Sequence, residues 1–278
     1  MNADLHCHSY YSDGLLSPTD VMRRAHANGV ELATLTDHDE TAGVFEAHDT
    51  AIELGMRFVS GVEISVTWGE EAHTIHMVGL GMDIYNKALS DGLASVRSGR
   101  DRRAMLIGEE LAKVGIEGAY EGAMRHARNP ALVSRSHFAR YIVETGRAKD
   151  VKSVFAQWLG YGKPGYIPHS WATLQQAVSW VTNAGGIAVV AHPGRYRLTP
   201  QEMTAFLDEF KSYGGRGIEV LSSSHRPEQV EIFADYARRM DLLASRASDF
   251  HAPGESWTDL GKLPDLSSDL KPVWKALI

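Results

Sequence analysis

Seven short apolar runs, at 3–7, 32–36, 57–65, 74–80, 187–191, 218–221 and 242–245, recur along this chain, most of them separated by segments of helical period. The segments 18–28, 41–54, 174–183, 200–213 and 227–239 space their apolar residues at three and four, as a helix with one buried face does. Runs this short and this apolar read as strands buried on both sides. Strands joined through helices pair in parallel, because a tight turn cannot carry the chain back to the same end of a sheet. The alternation predicts an α/β fold with a mainly parallel sheet, closed or nearly closed as a seven-stranded barrel, with an open doubly wound sheet as the alternative.

Local punctuation agrees. Ser17-Pro18 and Thr199-Pro200 set a capping hydroxyl before proline at the first helical position, where the missing N–H is not needed. Gly29, Gly55 and Gly214 stand where helices should stop. Between the fourth and fifth runs, 85–166 lacks strand character and reads as several helices. This assigns 1–84 and 167–278 to a catalytic barrel and 85–166 to a helical insertion over one of its ends.

With 278 residues, 44% of them hydrophobic, the chain can bury a large core and a smaller one. Its single cysteine, Cys7, excludes a disulfide framework. No apolar run approaches the roughly 18 residues of a membrane span, and residues 1–4 show no export signal, so a cytoplasmic protein is expected. The net charge of −7 is uneven: 97–163 holds thirteen Lys and Arg against seven Asp and Glu, so it is +6 while the remainder is −13. An acidic body with a basic insert suits cations on the one and an anionic ligand on the other. A solvated helical face accounts for the charge equally well.

Residues of metal-ligand type cluster at the predicted strand ends. The first run leads into Asp4-Leu5-His6-Cys7-His8, where strand alternation turns His6 and His8 to one side. Asp13 follows; the later ends carry Asp37-His38-Asp39, Glu63, His76, Ala191-His192-Pro193 and Ser248-Asp249-Phe250-His251. One strand histidine is more often a hydrogen-bonded core residue than a ligand. Six of thirteen histidines and three acids at one barrel mouth are a different matter, since burying so many titratable groups is costly unless cations compensate them.

These motifs, with Ser12-Asp13-Gly14, Thr36-Asp37-His38 and Gly61-Val62-Glu63, resemble the polymerase and histidinol phosphatase (PHP) family across essentially the whole barrel. The resemblance implies a distorted (β/α)7 barrel and three divalent metal ions, manganese first, with iron or zinc possible. It implies His6, His8, Glu63 and Asp249 on the first metal, Glu63 bridging to a second held by His76 and His192, and Asp13, His38 and His251 on the third. Mixed imidazole and carboxylate ligands agree with those metals better than with magnesium. Asp37 and Asp39 are left to brace the ligands.

Arginine suits two-pronged contact with phosphate. Arg195 follows the His192-Pro193-Gly194 turn, Arg135 opens a predicted helix beside Ser134, and Arg100 and Arg103 share a helix face; Lys163, in Gly162-Lys163-Pro164-Gly165, is a further candidate. With Ser134-Arg135-Ser136-His137 and His192-Pro193-Gly194-Arg195-Tyr196, these residues are similar to one branch of the family, the nucleoside 3′,5′-bisphosphate phosphatases and the 5′-to-3′ exoribonuclease called ribonuclease AM. The implied activity is hydrolysis of the 3′-phosphate of nucleoside 3′,5′-bisphosphates, or of short 5′-phosphorylated RNA, with Asp13, Glu63 and Asp249 in the catalytic centre. His225, on the loop after the sixth run, is a candidate to protonate the leaving oxygen, although a loop histidine is more often solvated. A nucleotide or short RNA is then the partner, and neither a membrane nor a protein partner is expected. Tyr161, Tyr166 and Trp171 fit base stacking and core packing alike.

One departure stands out: Arg246-Ala247 precedes Ser248-Asp249 where this branch leads one to expect a glycine. A positive φ at Ala247 would be strained, and Arg246 would crowd the mouth. Two rivals remain. A metal-dependent amidohydrolase acting on C–N bonds also carries the His-x-His pair, and a non-catalytic scaffold could keep the metals for stability.

Overall fold

A computed structural model describes residues 1–70 and 73–278. The chain runs β1 (Ala3–Asp4), α1 (Pro18–Ala27), β2 (Leu32–Leu35), α2 (Val44–Glu53), β3 (Arg57–Trp68) and β4 (His73–Leu80). Five helices follow: α3 (Lys87–Arg97), α4 (Arg100–Lys113), α5 (Ala119–His126), α6 (Arg135–Glu144) and α7 (Val151–Val154). The chain closes with β5 (Ala172–Thr173), α8 (Leu174–Asn183), β6 (Ile187–Val190), α9 (Pro200–Ser212), β7 (Gly217–Ser222), α10 (Pro227–Arg239) and β8 (Leu243–Ala247). The caps form as the sequence suggests: Ser17 Oγ accepts from the Asp20 N–H, and Thr199 with Glu202 makes a capping box over Pro200.

Seven strands lie in the order β1-β2-β3-β4-β6-β7-β8. The loop beyond β1 closes on β8 through Leu5 N–H to Arg246 O at 3.0 Å and Asp249 N–H to His6 O at 2.8 Å, so the sheet is a nearly closed barrel. Two departures from the expected parallel order appear. β4 is antiparallel to both β3 and β6, and the ladder of β1 with β2 stops at Asp4, with an isolated bridge from Cys7 to Phe250 beyond it. The short β5, not anticipated, pairs with the end of β3 off the barrel path.

Alternation along the strands sorts the core. Leu32, Val59, Val78, Leu80, Ile187, Val189 and Ala191 form one buried cluster, closed off by Val273 and Trp274. Val62, Ile64, Ile75, Met77, Val190 and Ile218 turn the other way against α3, α8, α9 and α10. α4 to α7 gather a separate core around Ile107, Leu111, Phe138 and Ile142. Every buried methylene contributes about 0.8 kcal/mol, so these clusters anchor the frame from which the polar residues at one end project. Among the described residues, no helix is long and apolar enough to cross a membrane.

Candidate metal centre and anion wall

The nine ligand-type residues meet at one end of the barrel. The reversal of β4 explains His76: it lies near the start of its strand, yet its partner across the antiparallel ladder is Ser65 of β3, beyond Glu63, which puts it at the same mouth. Three site residues sit in left-handed backbone, Asp39 at φ 51, His192 at φ 25 and Asp249 at φ 52. Non-glycine residues adopt this conformation at a cost and do so most often where a site needs a side chain aimed.

Glu63 is the hub. Its Oε1 lies 2.9 Å from both His76 Nδ1 and His192 Nε2 and 3.3 Å from His6 Nε2, while Oε2 lies 2.8 Å from His38 Nδ1 and 3.4 Å from His8 Nε2. Asp249 Oδ1 sits 3.5 Å from His6 Nε2 and 3.3 Å from His8 Nε2. Asp13 Oδ1 is 3.7 Å from His38 Nε2 and 3.4 Å from His251 Nε2. Four sets of donor atoms are compact enough to share an ion: His6 with His8 and Asp249; His6 with Glu63 and His192; His38 with Glu63 and His76; His8 with Asp13, His38 and His251.

Burial alone would raise the carboxyl pKa values, but His76, His6 and His38 hold Glu63 well below its ordinary value. Against the same burial, His38 and His251 do so for Asp13, and Arg195 and His6 for Asp249. Burial, then the neighbouring His251 and His38, pushes His8 down to about 3. Against the same burial, Glu63 and Asp13 raise His38 to about 9, so a divalent cation entering here would displace imidazole protons and keep the ionised carboxylates and the neutral His8 as donors. Asp13 Oδ1 is buried and accepts no hydrogen bond, although it faces three imidazoles. An orphaned buried carboxylate oxygen pointing at nitrogen donors is what a cation would satisfy, so the residues fit a metal centre.

Neighbouring groups aim these ligands. Glu219 of β7, buried, takes His6 Nδ1 at 2.7 Å and accepts from the His192 N–H at 2.6 Å. Sequence reasoning missed it; its only signal was a lone acid inside an apolar strand. Asp37 accepts from Ser9 N–H, Ser9 Oγ and Ser12 Oγ, bracing the loop that carries Asp13. Tyr196 donates to Ala191 O at 2.6 Å and accepts from the His76 N–H at 2.9 Å. The insertion reaches in as well: Ser134 Oγ and Ser136 Oγ, at the start of α6, each donate to Asp13 Oδ2 at 2.9 Å.

A cavity of about 180 Å³ is lined by members of the cluster and by Arg100, Arg103, Arg135, Arg195, Phe155, Tyr166 and Trp171. Arg100 and Arg103 do share a face, both lying against the Trp171 ring at 4.8 and 5.4 Å. Arg100 is neutralised locally by Asp39 and bonds Ser65 Oγ at 3.0 Å. Arg103 and Arg135 give one N–H each to the carbonyls of Ile167 and Leu159. Burial, then Arg135 and Arg100, pushes Arg103 down to about 9. Arg195 pairs with Asp249 at 2.5 Å.

Two candidates lie elsewhere. Lys163 is exposed and off the cavity wall. His225 spends both ring nitrogens on backbone, Nδ1–H donating to Val220 O at 3.0 Å and Nε2 accepting from Gly194 N–H at 3.1 Å. It holds the turn between His192 and Arg195 and has no nitrogen free to pass a proton. The concern over Arg246-Ala247 also dissolves. Ala247 is absent from the positive-φ residues, and the buried Arg246 turns to Asp265 and to the carbonyl of Leu263.

Comparison with known proteins places this geometry. Residues 4–220 match the model of the PHP domain. A 3′,5′-nucleoside bisphosphate phosphatase of Chromobacterium violaceum is 48% identical over 99% of this chain and 96% of its own length. A 5′-3′ exoribonuclease of Haemophilus influenzae is 41% identical over 98% of this chain and 97% of its own. A solved structure from Chromobacterium violaceum, described as an amidohydrolase with bound sulfate and no metal, superposes with a TM-score of 0.96 at 48% identity, covering all of this chain and 96% of that one. With its nine ligand-type residues at one barrel mouth and these matches along nearly its whole length, the chain belongs to the PHP domain family.

Proposed function

We propose that this protein is a metal-dependent phosphoesterase that hydrolyses nucleotide phosphoesters, removing the 3′-phosphate of nucleoside 3′,5′-bisphosphates and trimming short 5′-phosphorylated RNA from its 5′ end. The observation that carries this reading is one cavity with ionised carboxylates and imidazoles on one side, the guanidiniums of Arg103 and Arg135 on the other, and Arg195 beside Asp249. Full-length similarity to a bisphosphate phosphatase and to an exoribonuclease supports the substrate class.

His6, His8, Glu63 and Asp249 would hold a first cation, Glu63, His76 and His192 a second, and Asp13, His38 and His251 a third; the compact donor sets support the first through His6, His8 and Asp249 and the third with His8 added, while His192 groups with His6 and Glu63, and His76 with His38 and Glu63. We infer manganese, with iron or zinc able to replace it. Bound there, divalent cations supply Lewis acidity, which activates water and neutralises charge on phosphoryl oxygens. The chain does the rest. Arg103 and Arg135 pin the phosphate that stays, Arg195 meets the oxygens near Asp249, and the barrel walls exclude bulk water. On this reading the segment 85–166 is a substrate-binding cap.

The relative described as an amidohydrolase keeps that rival in view. No lysine lines the cavity among the described residues, and hydrolysis of a neutral C–N bond would leave its guanidiniums without an anion. The deciding experiment is turnover of adenosine 3′,5′-bisphosphate beside a 5′-phosphorylated ribo-oligonucleotide by manganese-loaded protein, with Asp249→Ala as control. Release of phosphate or of mononucleotides, lost in the variant, is expected. Turnover of neither overturns the reading.

A further inference from the structure

The cavity of about 180 Å³ is smaller than the roughly 300–1,000 Å³ typical of sites that enclose a drug-sized ligand. Any nucleotide beyond the one held inside must therefore lie past the rim. At that rim an aromatic pair runs outward. Tyr166 lines the cavity, and its ring faces the Arg135 guanidinium at 5.6 Å. Tyr161 stands 5.1 Å further out, tilted by 56°, and is 62% exposed. Arg197, exposed on the loop after His192, lies 4.5 Å from the Tyr161 ring centre. The order is guanidinium, ring, ring, guanidinium, leading from the phosphate wall to solvent.

Rings flanked by cations are how proteins follow a single nucleic acid strand, the rings stacking bases while the cations meet the backbone. Tyr161 fills no core, and its large exposed ring is the part of the step the hydrophobic clusters do not explain. We propose that Tyr161 and Arg197 form a docking step outside the cavity for the nucleotide beyond the scissile phosphoester of a single-stranded RNA, Tyr161 taking the base and Arg197 its phosphate. The proposal rests on the phosphoesterase reading and adds to it a residue that separates the longer substrate from the mononucleotide.

The test compares wild type, Tyr161→Ala and Tyr161→Trp, loaded with manganese, on adenosine 3′,5′-bisphosphate and on a 5′-phosphorylated ribotrinucleotide, together with equilibrium binding of the labelled trinucleotide. Tyr161→Ala should leave kcat/KM for the bisphosphate within about two-fold and lower it for the trinucleotide roughly 5- to 100-fold, mainly through KM, as the loss of one stacked base does. Tyr161→Trp should restore it. An equal fall on both substrates, or an unchanged trinucleotide reaction, overturns the proposal. If wild type turns over neither substrate, the phosphoesterase reading fails, and binding decides this one: weaker trinucleotide binding by Tyr161→Ala upholds the step, and equal binding overturns it.

Discussion

On the barrel side of the cavity, Glu63, Asp13 and Asp249 sit among six imidazoles, each carboxylate within 3.7 Å of at least two ring nitrogens. On the insertion side, Arg103 and Arg135 meet aromatic rings and one backbone carbonyl each, and among the described residues no ion pair forms at either. Acids and bases alternate so closely on the first side that the field of each stabilises the other. The second side keeps cations together without a counter-charge. A protein tolerates that arrangement where a ligand supplies the missing charge, which supports the proposal that the barrel residues hold cations and that 85–166 holds what those cations act upon.

Changes on either side test the division, beginning with the largest effect. Glu63→Ala removes the one carboxylate that touches five imidazoles; turnover should fall on the order of 10³-fold or more, and metal content measured by elemental analysis should drop with it. Unchanged metal content would show that Glu63 is not the hub. Arg103→Ala should raise KM for the bisphosphate about 10- to 100-fold, as the loss of a charge-assisted contact does, while metal content stays at the wild-type level. A fall in kcat and metal content without a change in KM would erase the distinction between the two sides.

The smallest effect concerns the insertion alone. His137 of α6 is buried, its Nδ1 accepting from the Ser134 N–H, and burial pushes it down to about 4. The unfolded chain binds this proton near pH 6.5 and the folded chain does not, so the stability tied to neutral His137 is present above pH 6.5 and lost as the pH falls towards 4. At pH 5.5 the loss is about 1 kcal/mol. Denaturant midpoints measured from pH 7.5 to 5 should therefore fall more steeply for wild type than for His137→Gln; parallel curves would count against it.

Much of the barrel was legible because burial on both faces leaves a continuous apolar run whichever way a strand points. For the same reason the direction of β4 was not legible: Thr74 to Leu80 reads alike in either orientation, and only the antiparallel register with β3 and β6 brings His76 to the mouth. The cluster at the mouth could be read because His and acid pairs recur at strand ends. Glu219 could not, because its role depends on which imidazole nitrogen lies beside it in space. Arg100 shows the limit of charge counting. Its place on the cavity wall followed from helical spacing, but its partner, Asp39, belongs to the acids that the sequence had set aside as braces.

That partnership has an evolutionary side. Asp39 is gripped by Arg100 through its carboxylate and by Arg97 through its carbonyl, and it follows the ligand-type His38 directly. Ser134 and Ser136 grip Asp13 in the same way from α6. Two clasps thus tie 85–166 to the metal-centre cluster, beside the Arg140–Glu255 ion pair and the packing of α3, each closing one residue from, or directly upon, a member of that cluster. A lineage could remodel everything between the clasps and acquire a new substrate, whereas a graft that dropped either one would return as a barrel with misaligned ligands.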